Sequence, residues 1–230
     1  LKLNCYLSDL KVVHPELEGR VTKLKARCKK VLLLLPPITW PSQRGAGKIP
    51  EKTNEGTPPL GLGQISSALA AAGHYVEIID AHRYNYTVAE VSEKAKKFDY
   101  LGISMVFSTV QSTMELTKIL ARGNKRPKIV IGGHAFTLEP EKILSSNVVY
   151  DFLVFGPGEL AFNRILDCDI EGKVPNEKNI VVETGSVDHM RGPLRKKVSA
   201  EYQSIWAELP LIERDAFRDP SNNSLDRKST

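Results

Sequence analysis

The sequence predicts an α/β fold of the flavodoxin-like (Rossmann-like) kind: a doubly wound five-stranded parallel sheet in the order 2-1-3-4-5, with a small C-terminal β-hairpin extension. Three observations carry that expectation. Short apolar runs, among them Leu32–Leu35, Gly102-Ile103 and Ile129–Ile131, each stop abruptly at Pro, Ser or Gly, as a parallel strand buried on both faces does. Segments of helical periodicity alternate with these runs, the βαβ pattern whose crossovers are right-handed. The composition is that of an ordinary globular chain, 41% hydrophobic and 26% charged over 230 residues, enough to bury one domain core. In such a sheet the ligand crevice lies at the carboxyl ends of the strands, with the switch point between strands one and three.

Taken in order, residues 1–30 read as a basic amphipathic helical leader. The helix spans residues 13–29, with Leu17, Val21, Leu24 and Cys28 on one stripe. Strand one is Val31–Leu35, ended by Pro36-Pro37, where a missing N–H stops sheet pairing. A polar stretch over 38–57 sits above that strand and is expected to be a functional loop. Pro58-Pro59 opens a helix from Leu60 to Ala72 that buries Ile65, Leu69 and Ala72, with Gly73 as its C-terminal cap. Strand two is Tyr75–Ile79, followed by a helix over Val88–Phe98. Strand three is Tyr100–Ser104, and a Ser/Thr-rich turn leads into a helix over Thr109–Arg122 that buries Met114, Leu116 or Thr117, and Leu120. Lys128–Ile131 is strand four, Pro140–Ser145 a short helix, Asp151–Phe155 strand five and Glu159–Leu166 the last helix of the body. The body therefore covers 31–167. Residues 168–218 read as a hairpin, Asn179–Glu183 with Leu194–Val198, and a linker; 219–230 read as a disordered tail.

Charge excludes some functions. Residues 1–30 hold eight Lys/Arg and three Asp/Glu, whereas 31–230 hold 24 of each, so the basic excess belongs to the leader. A nucleic-acid surface would interleave basic and aromatic residues on the body, and none is visible. No apolar run reaches the ~20 residues of a membrane span, and no signal-peptide core is found. The three cysteines, Cys5, Cys28 and Cys168, are scattered without metal spacing, which suits reduced thiols in a cytoplasm.

The candidate site lies at the strand ends. A dinucleotide fingerprint would need Gly-x-Gly-x-x-Gly after strand one, and that position reads Pro36-Pro37-Ile38-Thr39-Trp40. Asp80, at the end of strand two, is read as a turn residue. Gly132-Gly133 removes two Cβ atoms at a strand end, which either admits a ligand to the backbone or forms a tight turn. Ser104, Ser108 and Thr109 offer hydroxyls, with helix capping as the alternative for the last two. Gly156-Pro157-Gly158-Glu159 adds a third small-residue strand end. Together these describe a wide, shallow slot suited to a large planar ligand. His134 could be a metal ligand, a base or a hydrogen-bond donor, or simply structural. No nucleophile–base pair is present.

These pieces, in order, resemble a known family. Val31–Pro37, Pro58–Gly63, Ala71–Ala81, Tyr100–Ser104, Gly132–Glu141 and Asp151–Glu159 are similar to the cobalamin-binding N-terminal domain of cobalamin-dependent radical S-adenosylmethionine enzymes. Leu209–Asp215 resembles the linker into the radical barrel. Two departures stand out. Gly156-Pro157-Gly158-Glu159 replaces the family's Gly-Glu-Gly-Glu, and the Cys-x-x-x-Cys-x-x-Cys that would hold an iron–sulfur cluster is absent. Asp80-Ala81-His82 imitates the start of another cobalamin signature, but it follows strand two and has Asn85 where Gly belongs, so His82 is not expected to bind cobalt.

The resemblance implies base-off cobalamin without a histidine axial ligand. A 4Fe-4S cluster and S-adenosylmethionine would be held only by a C-terminal domain outside this sequence, and the partner would be a radical S-adenosylmethionine barrel domain or subunit. No autonomous activity is expected. The chain would then be a fragment or split component that serves methyl transfer. The implied corrin face lies on Pro36, Pro37 and Thr39, on Ser104, Ser108 and Thr109, and on Gly132, Gly133, His134 and Thr137, with Ser104 and the Gly132-Gly133 backbone lining the cleft for the nucleotide tail. Leu60 and Gly61 contribute from the first body helix, and Gly156, Gly158 and Glu159 close one side. Gly133→Trp is expected to abolish cofactor retention without disturbing the fold. The alternatives are a non-catalytic scaffold or regulatory module of the same fold, and a flavin or nucleotide binder.

Overall fold

The computed structural model describes residues 27–38, 58–177 and 179–182. The leader helix, the polar loop, the second hairpin strand, the linker and the tail all lie outside that set. Among the described residues, six strands form one sheet in the order β2-β1-β3-β4-β5-β6. They are β1 (Lys30–Leu35), β2 (Tyr75–Asp80), β3 (Tyr100–Ser104), β4 (Lys128–Gly132), β5 (Phe152–Val154) and β6 (Ile180–Val182). The first five are parallel in the expected order 2-1-3-4-5. Strand β6, the first strand of the expected hairpin, pairs antiparallel with β5, Leu153 opposite Val181; its expected hairpin partner Leu194–Val198 lies outside the described residues. The parallel sheet otherwise ends on β5, whose open edge needs backbone partners.

Six helices are described: α1 (Leu60–Ala71), α2 (Val88–Ala95), α3 (Val110–Ala121), α4 (His134–Leu138), α5 (Pro140–Leu144) and α6 (Glu159–Ile170). α6 runs past the body boundary expected at residue 167, and α4 starts where a loop was expected. A single 3₁₀ turn, Phe107–Thr109, precedes α3. Helices α1 and α6 pack together on one face of the sheet, around Val31, Leu33, Leu62, Leu69, Val130, Phe162 and Ile165. Helices α2 to α5 cover the other face, around Leu32, Leu34, Val91, Leu101, Leu116, Ile131 and Phe136. Alternate residues of β1 thus enter opposite cores, as the period of two requires, which is why its leucine run is continuous.

The helix ends follow local chemistry. Gly73 takes φ +92° after α1. Its N–H donates to the Ala70 carbonyl at 3.0 Å and that of His74 to Leu69 at 3.1 Å, a Schellman closure that needs the left-handed conformation glycine tolerates. Thr87 and Glu90 form a reciprocal capping box at α2. The stripe expected on α1 is displaced: Leu62, Ser66 and Leu69 are buried, Ile65 is half-buried and Ala72 is exposed, because Ile65 faces the cavity described below.

At the amino-terminal edge of the sheet, charges tie strands to loops. Arg126 donates to both oxygens of Asp151, at 2.5 and 3.0 Å, and Asp151 also accepts from the Ile129 N–H at 2.7 Å. Lys29 lies 2.9 Å from Asp169, which Lys128 also reaches. Burial works to raise the Asp169 carboxyl, but the hydrogen bonds from Lys128 and Lys29 prevail and hold it at about 2. Cys168 is free and buried. No described helix is long and apolar enough to cross a membrane.

Candidate functional site

A cavity of about 430 Å³ opens at the carboxyl edge of the sheet and descends between its face and helices α1 and α6. Register explains its position. Leu33, Gly102 and Val130 lie side by side across β1, β3 and β4 and project to one face, so the middle place of that row has no side chain. One pleat further, Ser104 stands opposite Gly132, again two small residues. The result is a trough along the face. Phe162 of α6 closes its floor, since a Cβ on Gly102 would fall 2.5 Å from the Phe162 ring and 2.7 Å from Leu33. Leu62 and Ile65 of α1 wall one side, and Val154 of β5 lines it from the sheet. The slot expected to be shallow is therefore deep on one face.

Of the residues singled out from sequence, Gly61, Ser104, Gly132, Gly133, His134, Thr137, Gly156, Gly158 and Glu159 line this cavity. Leu60 is adjacent but points outward, 54% exposed. Pro36 is buried, Pro37 and Ser108 are half-buried, and none of the three lines the cavity; Thr39 lies outside the described residues. Thr109 is fully buried and its hydroxyl is used locally, accepting from the Val106 N–H at 3.1 Å and donating to the Val106 carbonyl at 3.0 Å. Asp80 accepts from the Arg83 N–H at 3.0 Å, the turn role expected of it, and His82 is exposed beyond the edge strand β2. The apolar lining residues that pattern alone missed are Leu33, Leu62, Ile65, Ile103, Val130, Val154 and Phe162. A cavity lining and a filled core use the same side chains, so only the mid-strand glycine, Gly102, signalled them.

The two adjacent glycines serve different ends. Gly133 has φ +97° and ψ 179°, a region occupied essentially by glycine alone. A Cβ there would meet the Met105 carbonyl at 2.7 Å and its N at 2.8 Å, because Met105 donates to the Gly132 carbonyl and accepts from the Ala135 N–H. Gly133→Trp therefore cannot leave the fold intact, contrary to expectation. Gly132 lies in the strand, where a Cβ would find Val154 at an ordinary 3.5 Å and would enter the trough. Gly156, at φ +77°, starts the turn into α6 and donates its N–H to Thr137 Oγ1 at 3.1 Å, joining that turn to helix α4.

The chemistry of the lining is sparse. Ser104, His134, Thr137 and Glu159 are its polar side chains, and no Lys or Arg is among them. Glu159, in the first turn of α6, is buried, and its Oε2 has no hydrogen-bond partner among the described residues. No group of three or more His, Cys, Asp or Glu able to hold a metal ion occurs among the described residues. Among the described residues the lining is therefore mostly apolar, with these four polar groups at intervals along it.

Fold and cavity define a doubly wound α/β domain with a trough at the carboxyl edge of its sheet, where such folds place ligands. A family model described as the B12 binding domain matches residues 51–166, half of the chain, and the chain belongs to that family. It is 31% identical over 146 residues to the uncharacterized methyltransferase PH0819 of Pyrococcus horikoshii, covering 63% of this chain and 30% of that protein. Among solved structures, the radical S-adenosylmethionine methyltransferase TsrM from Kitasatospora setae matches at 18% identity and TM-score 0.52, over 69% of this chain and 30% of TsrM. The cobalamin-dependent S-adenosylmethionine radical enzyme OxsB matches at 17% identity and TM-score 0.52, over 73% of this chain and 22% of OxsB. These structural likenesses show the fold, and the chain spans under a third of the length of each relative.

Proposed function

We propose that this chain binds cobalamin base-off, without a histidine axial ligand, and presents it to a radical S-adenosylmethionine barrel domain or subunit for methyl transfer. The observation that carries the reading is the trough on the α1/α6 face, open at the carboxyl edge, where Gly132 leaves room and Gly102 lets Phe162 close the floor. At about 430 Å³ it suits the nucleotide tail of the cofactor, and a corrin ring would rest on the rim formed by Gly133–Thr137 and Gly156–Glu159. When bound, cobalamin supplies a cobalt-bound alkyl group for transfer; the chain's residues exclude water from the tail and orient the ring.

Leu60, Phe107, Leu138 and Leu160 are exposed apolar residues. Each lies within three residues of a cavity-lining position, and such exposed apolar side chains are ones a second domain would cover. The 4Fe-4S cluster and S-adenosylmethionine would belong to that second domain.

Hydroxocobalamin added to the purified chain, followed by desalting, tests the reading. Protein fractions should carry a stoichiometric corrinoid spectrum in its base-off form. Protein that emerges colourless, with all corrinoid in the salt fractions, overturns it.

A further inference from the structure

Glu159 is 6% exposed, lines the cavity, and leaves Oε2 without a hydrogen-bond partner among the described residues. Of the lining residues it alone carries a carboxylate, and none supplies Lys or Arg. An unpaired buried carboxylate oxygen is costly in a folded protein. Its position in the first turn of α6 offsets part of the charge through the helix dipole, but the dipole provides no hydrogen for Oε2. A carboxylate accepts hydrogen bonds and repels anions, so the cavity is matched here to a neutral N–H or O–H donor.

We infer that Glu159 is the polar anchor of the cavity, accepting a hydrogen bond from a hydroxyl or amide donor of the bound ligand. The inference rests on the cobalamin reading and extends it. Cobalamin carries such donors in two places, the ribose of its nucleotide tail and the amide side chains of the corrin rim. Cobinamide keeps the amides and lacks the tail, so it separates the two sources. A ribose contact makes Glu159 matter for cobalamin alone; an amide contact makes it matter equally for both.

The test compares wild type, Glu159→Gln and Glu159→Met by equilibrium binding of hydroxocobalamin and dicyanocobinamide, and by melting of the ligand-free proteins. Loss of a hydrogen bond to a charged group predicts cobalamin affinity at least about ten-fold weaker in Glu159→Met. Glu159→Gln, which keeps an acceptor oxygen, should fall between. The ligand-free Glu159→Met protein should melt no lower than wild type, because it no longer buries an unpaired charge. A purely structural glutamate would lower the melting temperature instead, and that result overturns the inference. Unchanged cobalamin affinity in Glu159→Met, with wild type binding, overturns it alone. Wild type that binds neither corrinoid overturns the cobalamin reading and this inference together.

Discussion

Two neighbouring glycines, replaced one at a time by alanine, should part company. Gly133 holds φ +97° and ψ 179°, and an added methyl would sit 2.7 and 2.8 Å from backbone atoms of Met105. The strained conformation costs about 1–3 kcal/mol, and relieving the overlap costs about 1–3 kcal/mol more, because Met105 is itself held by backbone hydrogen bonds to Gly132 and Ala135. Gly132→Ala places its methyl 3.5 Å from the Val154 carbonyl, ordinary contact, and removes glycine's entropy in a strand, a change of about 0.5–1 kcal/mol toward stability. The assay is urea unfolding followed by circular dichroism. With a slope of ~1–3 kcal/mol per molar, the Gly133→Ala midpoint should drop by about 1–3 M while that of Gly132→Ala holds or rises. A Gly133→Ala loss under about 1 kcal/mol, or equal losses at both positions, would refute the assignment of one glycine to the turn and the other to the cavity.

Gly132→Leu extends the harmless methyl into the trough, so it should fold as wild type and lose hydroxocobalamin on desalting; retention by a folded variant would move the ligand elsewhere. Gly102→Val, whose Cβ overlaps Phe162 and Leu33, should destabilise the domain by about 1–3 kcal/mol in the same urea assay. His74 accepts the Lys29 N–H on Nδ1 at 3.3 Å. Burial pushes its imidazole below the ordinary value, opposed by Asp167 and aided by Lys29. With the folded pKa below the unfolded one, the unfolded chain binds the extra proton, so His74 stabilises the fold above its unfolded pKa and loses that contribution as pH falls below about 6.5. Urea midpoints between pH 7.5 and 5.5 should fall more steeply in wild type than in His74→Gln; parallel slopes would show that His74 is not the titrating group.

The sheet was legible because its signals are local. A strand buried on both faces needs an unbroken apolar run, and Val31–Leu35 and Ile129–Ile131 supply one. A crossover needs punctuation, and Gly73 and Pro59 supply that. The strand order followed from the alternation of those elements and the handedness of their connections. At the site, the glycine and serine positions at the strand ends were legible for the same reason, since a missing Cβ is visible in one dimension.

What the sequence by itself determined is therefore the set of elements, their order and the edge of the sheet where the cavity opens. Tertiary structure decided the rest. Cross-strand register set Leu33, Gly102 and Val130 in one row and Ser104 beside Gly132, which turned an edge slot into a trough on the α1/α6 face. The conformation at Gly133 and the place of Met105 separated two glycines that look equivalent in the chain. Burial made Glu159 an unpaired acceptor instead of a rim charge, and it turned Thr109 inward to its own turn. Each of these depends on which residues meet across distant segments, and a linear pattern carries the type of a residue without its neighbours in space.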